Sequence, residues 1–299
     1  MPANVGLRSR KRLTCTVTTV LLAASAVFVA PAAAGEPSVT ARNAPANAAP
    51  AAAPAASPAA TAAGPHAIPS TGGVRLAPTR GGSLSGRVIV VDPGHNGRYI
   101  RAVNTRLVPD GRGGRKACNT SGTASTGGYA EHAFTWSVAT KLTSQLRARG
   151  ATVILTRPND HGVGPCVDER AAIGNRSRAD LVLSIHADGA RARDRGFHII
   201  RSTRMAGGTD VTRRSARLAT ITRESVSRVT GIPRSNYLGG GTAITPRADI
   251  AGLNLSRVPA VMLEAGNMRS AADLRLLRSR SFHTKQANAL TQAAVRFLR

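Results

Sequence analysis

Each of three short apolar segments in this 299-residue chain is followed by a side chain of a type that binds divalent metal ions in proteins. His95 follows the segment 88–91, His186 directly follows 181–185, and Glu264 directly follows 258–263. Short runs rich in Val, Ile and Leu are typical of buried strands. An open α/β sheet binds its ligands beyond the carboxyl ends of its strands. The two histidines and the carboxylate are therefore predicted to converge on one site.

A fourth candidate ligand, Glu131, begins the first long amphipathic segment of the chain. A glutamate at a helix start also complements the helix dipole, and a lone histidine in a turn such as that of His95 is more often a structural hydrogen-bonding residue. The adjacent His132 points to a different helix face, so both residues cannot easily bind one ion. Two histidines and a carboxylate with one open position form a catalytic zinc arrangement, which indicates a hydrolase built around one Zn²⁺.

Glu264 is the least ordinary residue of the set, because it ends an apolar strand and precedes Ala265-Gly266. A buried carboxylate is costly unless it is paired or catalytic. Asp188 and Asn267 follow the same two predicted strands as His186 and Glu264. We expect them to position the substrate or the neighbouring site residues.

The other conspicuous polar residues of the domain are assigned structural roles. His161, His198 and His283 fall in a predicted loop, strand and helix away from the strand-end cluster, so we interpret them as structural or surface residues. Arg170 and Asn175 lie on a predicted short helix, and we expect them to hold the fold together.

The N-terminal 86 residues differ in composition from the rest of the chain. Residues 1–34 combine a basic start, an apolar stretch and the small-residue end Ala32-Ala33-Ala34, which predicts a secretory signal peptide cleaved before Gly35. An uncleaved membrane anchor is the alternative interpretation. Residues 35–86 are dominated by Ala and Pro and predict a disordered linker, because they cannot bury enough apolar surface to offset the ordering entropy. Residues 87–299 remain as one catalytic domain.

The formal net charge of +26 indicates affinity for anionic partners, whereas only 3% of residues are aromatic. Nucleic-acid binding usually adds aromatic stacking platforms or a recognisable module, and neither is present in the sequence. We therefore expect no nucleic-acid partner. For an exported protein, anionic polymers of the cell envelope are the favoured partners. A solvated basic surface without a partner accounts for most of the charge equally well.

Two cysteines remain after removal of a signal peptide that contains Cys15, namely Cys118 and Cys166. An even number of cysteines in an exported protein predicts one disulfide. A pair of zinc thiolates would require further Cys or His residues at close spacing, and the sequence has none there. The bond would tether the long loop predicted for Tyr99–Gly128 to the segment that follows the second strand.

Predicted strands alternate with predicted helices along residues 87–299. This pattern predicts an α/β domain with a mostly parallel sheet covered by helices on both faces. The main predicted strands are 88–91, 152–156, 180–185, 197–200 and 258–263. The main predicted helices are 131–149, 168–178, 211–229, 271–277 and 282–298.

These motifs, in this order, resemble the zinc-dependent N-acetylmuramoyl-L-alanine amidases of the Amidase_3 type. The resemblance runs from about Val88 to the C-terminus, and its strongest parts are 91–95, the start of the helix at Glu131, 155–157, 169–175, 179–187 and 258–266. It implies one Zn²⁺ held by His95, Glu131 and His186, and Glu264 as the catalytic carboxylate. Asn267 departs from the family pattern, because many members carry Phe at that position.

The implied substrate is peptidoglycan or a muropeptide, cleaved at the amide between the lactyl group of muramic acid and L-alanine. The metal chemistry alone does not select this bond, so a cell-wall peptidase or deacetylase is an alternative. A non-catalytic wall-binding protein is a second alternative, which the retention of all four site residues disfavours. We expect a secreted monomer that acts in the cell wall or periplasm and has no membrane span after cleavage.

Overall fold

The computed structural model describes residues 72–299, which form a central sheet flanked by helices. The strands are β1 (Val74–Leu76), β2 (Val88–Pro93), β3 (Leu107–Pro109), β4 (Arg115–Ala117), β5 (Thr152–Leu155), β6 (Leu181–Asp188), β7 (His198–Ser202), β8 (Ile244–Arg247) and β9 (Ala260–Asn267). The helices are α1 (Arg101–Asn104), α2 (Glu131–Arg147), α3 (Val167–Arg176), α4 (Gly208–Thr230), α5 (Ala251–Asn254), α6 (Ala271–Leu277) and α7 (Arg280–Leu298).

The main sheet has seven strands in the order β1-β5-β2-β6-β9-β7-β8. The four strands β5, β2, β6 and β9 run parallel to one another, and β8 runs parallel to β7. Only β1 and the β7–β9 junction are antiparallel. The prediction of a mostly parallel α/β sheet is therefore confirmed.

The two faces of the sheet carry cores of different size, and helices cover both. Alternate side chains of β2, β6 and β9 enter a large core that also contains buried residues of α2, α4 and α7. The intervening side chains enter a smaller core that is covered mainly by α3 and α5. Because strand side chains alternate between faces, Asp92, Ser184, His186, Met262 and Glu264 all lie on the thinly covered face.

The predicted linker ends earlier than residue 86. Val74–Leu76 is an edge strand that pairs with β5, and Leu84 is fully buried in the large core. The boundary was misplaced because a three-residue edge strand among Gly, Pro and Ser has too little apolar pattern to be detected. The predicted signal peptide and residues 35–71 of the predicted linker lie outside the described residues.

The long segment Tyr99–Gly128 is not structureless. It contains α1 and an antiparallel hairpin of β3 and β4, closed by a turn in which the Asp110 side chain accepts hydrogen bonds from the backbone of Arg112 and Gly114. Strands of three residues are too short to show the alternation of apolar and polar residues from which a strand is predicted. Within residues 72–299, no helix is both long and apolar enough to cross a membrane.

The disulfide between Cys118 and Cys166 is formed, as predicted. Both residues are buried, and Val108 of the hairpin packs against them. The bond joins the end of the hairpin segment to the residue that precedes α3, and the backbone amide of Val167 donates a hydrogen bond to the Cys118 carbonyl. The hairpin is thus fixed to the helix that covers the site face.

Loss of this disulfide should lower the free energy of unfolding by about 4 kcal/mol, because it closes a long loop in the unfolded chain. The double variant Cys118→Ser/Cys166→Ser, compared with the wild type by urea denaturation, measures the change. Reductant should destabilise the wild type and leave the double variant unaffected. Equal stability of the two proteins without reductant would contradict the prediction.

Candidate metal centre and active site

The loop that follows β2 projects His95 by means of an unusual backbone conformation. His95 has a φ of 60°, in the left-handed region that non-glycine residues rarely adopt. The guanidinium of Arg170 holds the turn, because Nη2 donates to the His95 carbonyl at 2.6 Å and Nη1 donates to the Pro93 carbonyl at 2.7 Å. A side chain of α3 therefore compensates for the strain of the turn.

Arg170 is itself held by Asp92, the last carboxylate before the turn. The Asp92 Oδ1 atom lies 2.7 Å from Arg170 Nη1, and the hydroxyls of Ser184 and Thr156 each donate to Asp92 at 2.6 Å. Burial disfavours the charge on Asp92, but the guanidinium and the two hydroxyls outweigh it and lower its pKa to about 2. The pair remains ionised beneath the site.

Register within the sheet brings the remaining strand residues together. His186 of β6 is the direct partner of Glu264 of β9, and both side chains point to the thinly covered face. The sequence placed them at strand ends, whereas β6 continues to Asp188 and β9 to Asn267. The strands extend because β6 and β9 continue to pair with each other, after a register shift, as far as Asp188 and Asn267. Both residues therefore lie within strands, where the backbone holds them more firmly.

The side chains of His95, Glu131 and His186 meet at one point. Their potential ligand atoms all lie within 4.8 Å of one another. His95 Nε2 is 3.0 Å from Glu131 Oε2, and His186 Nδ1 is 2.9 Å from Glu131 Oε1. The family resemblance implied this set of three residues, and the fold brings their side chains together.

Glu131 reaches the cluster from the first position of α2 and is almost fully buried. The backbone amides of Thr123 and Ala187 donate to its two carboxylate oxygens at 2.9 and 3.1 Å. Burial opposes its ionisation, yet the hydrogen bonds and charges of His186 and His95 hold the pKa of Glu131 well below its usual range. The carboxylate is thereby kept in the form that binds a cation.

The surroundings of the three side chains leave their ligand atoms available to a metal ion. The Nδ1 atom of His95 is 3.1 Å from the Thr120 carbonyl, so a proton on Nδ1 leaves Nε2 free to bind a metal. A Cβ atom on Gly122 would lie 2.9 Å from the His95 ring and 3.0 Å from Glu131 Oε2. A Cβ on Gly94 would lie 2.3 Å from the His186 ring. Gly94 and Gly122 must therefore lack a Cβ atom, because the side chains of the cluster approach their backbone this closely.

Glu264 stands beside the cluster without belonging to it. Its Oε2 atom is buried and has no hydrogen-bond partner among residues 72–299. Burial, together with the carboxylates of Glu131 and Asp188, raises the pKa of Glu264 well above its usual value. A carboxylate with a raised pKa can both accept and donate a proton near neutrality.

A cavity of about 350 Å³ opens over the cluster and Glu264. Its lining combines the polar groups of His95, Glu131 and His186 with apolar side chains that include Leu253 and Met262. A site with convergent polar groups among apolar side chains is typical of a substrate pocket.

Comparison with known protein families decides the assignment. The family model described as N-acetylmuramoyl-L-alanine amidase matches residues 89–296. The chain belongs to this family. Its members hydrolyse an amide bond of peptidoglycan, so this protein is a cell-wall hydrolase.

Individual relatives support the assignment. An N-acetylmuramoyl-L-alanine amidase of Mycobacterium tuberculosis is 41% identical over 216 residues, which cover 72% of this chain and 88% of the relative. The crystal structure of the N-acetylmuramyl-L-alanine amidase of Mycobacterium smegmatis is similar with a TM-score of 0.68 and 40% identity, over 72% of this chain and 98% of that one. The crystal structure of the apo form of the N-acetylmuramyl-L-alanine amidase of Mycobacterium abscessus is similar with a TM-score of 0.68 and 41% identity, over 72% of this chain and 100% of that one.

The remaining histidines of this amidase largely follow the sequence interpretation. His132 points away from the cluster, and its Nδ1 atom is 2.9 Å from Asp160 Oδ1. His283 is buried on α7, where its ring nitrogens contact the Ser137 hydroxyl and the Leu277 carbonyl. His198 was wrongly placed away from the site. It is the direct partner of Glu264 in the β7–β9 pairing, which only strand order reveals.

The polar residues near the site have mainly structural contacts. The Asn267 amide donates to the carbonyls of Arg191 and Asp194 at 2.8 and 2.6 Å, so Asn267 holds the loop before β7. Asp188 accepts a hydrogen bond from the Tyr237 hydroxyl at 3.0 Å. Arg170, expected to hold the fold, also holds the turn of a candidate metal ligand. The spacing of Arg170 and His95 in the sequence does not predict this contact between the guanidinium and the His95 carbonyl.

Replacing Arg170 by Lys should weaken metal binding about 10- to 100-fold while His95, Glu131 and His186 remain intact. Lysine keeps the charge beside Asp92 but cannot donate to two carbonyls and a carboxylate in one plane. Competition with a zinc-sensitive chelator measures the affinity, with His95→Ala as the reference for loss of a ligand.

The matched control is Arg176→Lys, an exposed arginine on the same helix that pairs with Glu169. It should bind the metal as the wild type does. Wild-type affinity in the folded Arg170→Lys variant would show that the turn keeps its conformation without the guanidinium.

Proposed function

We propose that this chain is a zinc-dependent N-acetylmuramoyl-L-alanine amidase that cleaves the amide between the lactyl group of muramic acid and L-alanine. The observation that carries the proposal is the convergence of three ligand atoms within 4.8 Å beside Glu264, which is in direct register with His186. Two imidazoles and one carboxylate are the ligand set of a catalytic zinc site with an open fourth position.

We assign the metal to His95, Glu131 and His186. When held there, Zn²⁺ would supply an acidified water and would polarise the scissile carbonyl. The three side chains are oriented by Thr120, by backbone amides and by the sheet, so little rearrangement is needed to bind an ion. Such preorganisation favours both metal affinity and correct placement of the substrate.

We assign the proton transfers to Glu264. Its carboxylate takes a proton from the attacking water as the new C–O bond forms at the lactyl carbonyl. It then delivers that proton to the nitrogen of L-alanine as the C–N bond breaks, so the products are a carboxylic acid and a free amine. The raised pKa of Glu264 suits a group that must hold a proton between the two steps.

We propose that the enzyme is exported and acts in the cell wall or periplasm. The basic and apolar character of residues 1–34 supports export, and so does the Cys118–Cys166 disulfide, which is typical of oxidising compartments. We also propose that it acts as a monomer, because the cluster of His95, Glu131 and His186 forms without a residue from a partner.

We further propose that a basic surface on α4 binds anionic polymers of the wall. Arg213, Arg214, Arg217 and Arg228 are exposed along this helix, and two of them lie over the ring of Phe297. One charged neighbour is an aspartate, which pairs with Arg213. The exposed face of α4 thus carries more guanidinium groups than carboxylates, and none of its residues belongs to the metal cluster.

Replacing Glu264 by Ala should abolish hydrolysis of a purified muropeptide while the zinc content stays at the wild-type level. Mass spectrometry of the products and elemental analysis of the protein measure the two quantities. The wild type should release a stem peptide that begins at L-alanine, together with the matching muramic acid sugar, and chelator should stop the reaction. Wild-type rates in the Glu264→Ala variant would contradict the assigned role.

The same product analysis separates the alternatives. Cleavage inside the stem peptide would indicate a peptidase, and release of acetate would indicate a deacetylase. Binding of wall polymer by a metal-free protein that never cleaves it would indicate a non-catalytic role.

Replacing the four exposed arginines of α4 by Gln should weaken binding to immobilised poly(glycerol phosphate) by at least about tenfold at low salt, because exposed charges act at long range only when unscreened. Hydrolysis of a small muropeptide should not change. The control variant neutralises the same number of exposed arginines elsewhere, namely Arg75, Arg101, Arg193 and Arg269. Equal loss of binding in both variants would point to net charge rather than to this face.

A further inference from the structure

His198 is buried directly beside the proposed catalytic carboxylate. It lies opposite Glu264 in the antiparallel pairing of β7 with β9, so the two side chains project to the same face of the sheet. The packing agrees, because Ile199 and Leu263 enter the large core while Ile200 packs in the smaller core with Met262. Directly opposed residues in such a pair have Cβ atoms about 4.5–5.5 Å apart.

The imidazole of His198 has no hydrogen-bonding role elsewhere in the described chain. Its exposure is 1%, and neither ring nitrogen has a partner among residues 72–299. The Oε2 atom of Glu264 is also buried and without a partner in the same set. Unpartnered buried polar atoms are rare in native proteins, and three of them on two opposed residues call for a common explanation.

Burial favours the neutral form of the His198 ring, which packs against one aromatic neighbour. Burial lowers its pKa to about 4, although Asp188 acts in the opposite direction and Arg247 adds to the lowering. A neutral imidazole has one N–H donor and one acceptor nitrogen. Tyr237 packs edge-on against the ring with centroids 5.9 Å apart, and its hydroxyl is held by Asp188.

We propose that His198 is a positioning residue, whose ring N–H donates a hydrogen bond to the Glu264 carboxylate, directly or through one water, when substrate is bound. This contact fixes one carboxylate oxygen, so that the other faces the attacking water and later the leaving nitrogen. Hydrogen bonds of catalytic groups are often long in the free enzyme and shorten in the complex. The inference rests on the proposed role of Glu264.

The test replaces His198 by Leu, which removes the donor, and by Gln, which retains an N–H near the position of the ring nitrogen. We expect His198→Leu to lower kcat about 10- to 100-fold on a purified muropeptide, with KM within about twofold and zinc content unchanged. The Gln variant should recover most of the lost kcat. If the Leu variant does not fold, His198→Met replaces it, because a flexible thioether chain fills an irregular space.

The matched control is His283→Gln, another buried histidine, which lies on α7 and has partners for both ring nitrogens. It should lower thermal stability and leave kcat at the wild-type value. Glu264→Ala is assayed in parallel. If it stays active, the role of Glu264 fails. If it is inactive while the folded apolar His198 variant keeps wild-type kcat, only the role of His198 fails.

Three further results would overturn the inference. Equal losses of kcat in the Leu and Gln variants would indicate a packing role rather than a hydrogen bond. A raised KM with unchanged kcat would indicate contact with the substrate. Loss of zinc from the apolar variant would indicate that His198 supports the metal ligands instead of Glu264.

Discussion

The buried ion pair between Asp92 and Arg170 is the interaction on which the site depends. It joins the end of β2 to α3, and the same guanidinium holds the carbonyl of His95 in a strained turn. An isolated buried charge would be costly, but each of these charges is paired and further hydrogen-bonded. The fold can therefore keep His95, the proposed metal ligand, in a conformation that local preference disfavours.

The disulfide reinforces the same region. Cys118 lies two residues before Thr120, whose carbonyl contacts the His95 ring, and Cys166 lies four residues before Arg170. The bond therefore limits the motion of both groups that orient the ligand. The disulfide therefore links the stability of the fold to the orientation of His95, the proposed metal ligand. This arrangement suits the proposed action outside the cell, where a disulfide persists.

Sheet register decides the chemistry at the other side of the cluster. Parallel pairing of β6 with β9 sets Glu264 beside His186, and antiparallel pairing of β9 with β7 sets His198 beside Glu264. A shift of one residue in either pairing would turn these side chains to the opposite face. Three strands thus align a proposed metal ligand, a proton-transfer group and the residue inferred to position that group. The order β6-β9-β7 places the carboxylate between two imidazoles.

The sequence by itself determined the α/β class and the disulfide, because these depend on local periodicity and on the even number of cysteines left after export. The set of His95, Glu131 and His186 came from the resemblance to a known family, because each of these residue types has common structural roles. Only the tertiary structure decided the place of His198, the contact of Arg170 with His95, and the short elements at 74–76 and 107–117. Neighbours across a sheet are set by strand order and register, which are products of the whole packed core. The sequence pattern can identify the residues of such a pair as candidates, but it does not show which residue of the neighbouring strand each one faces.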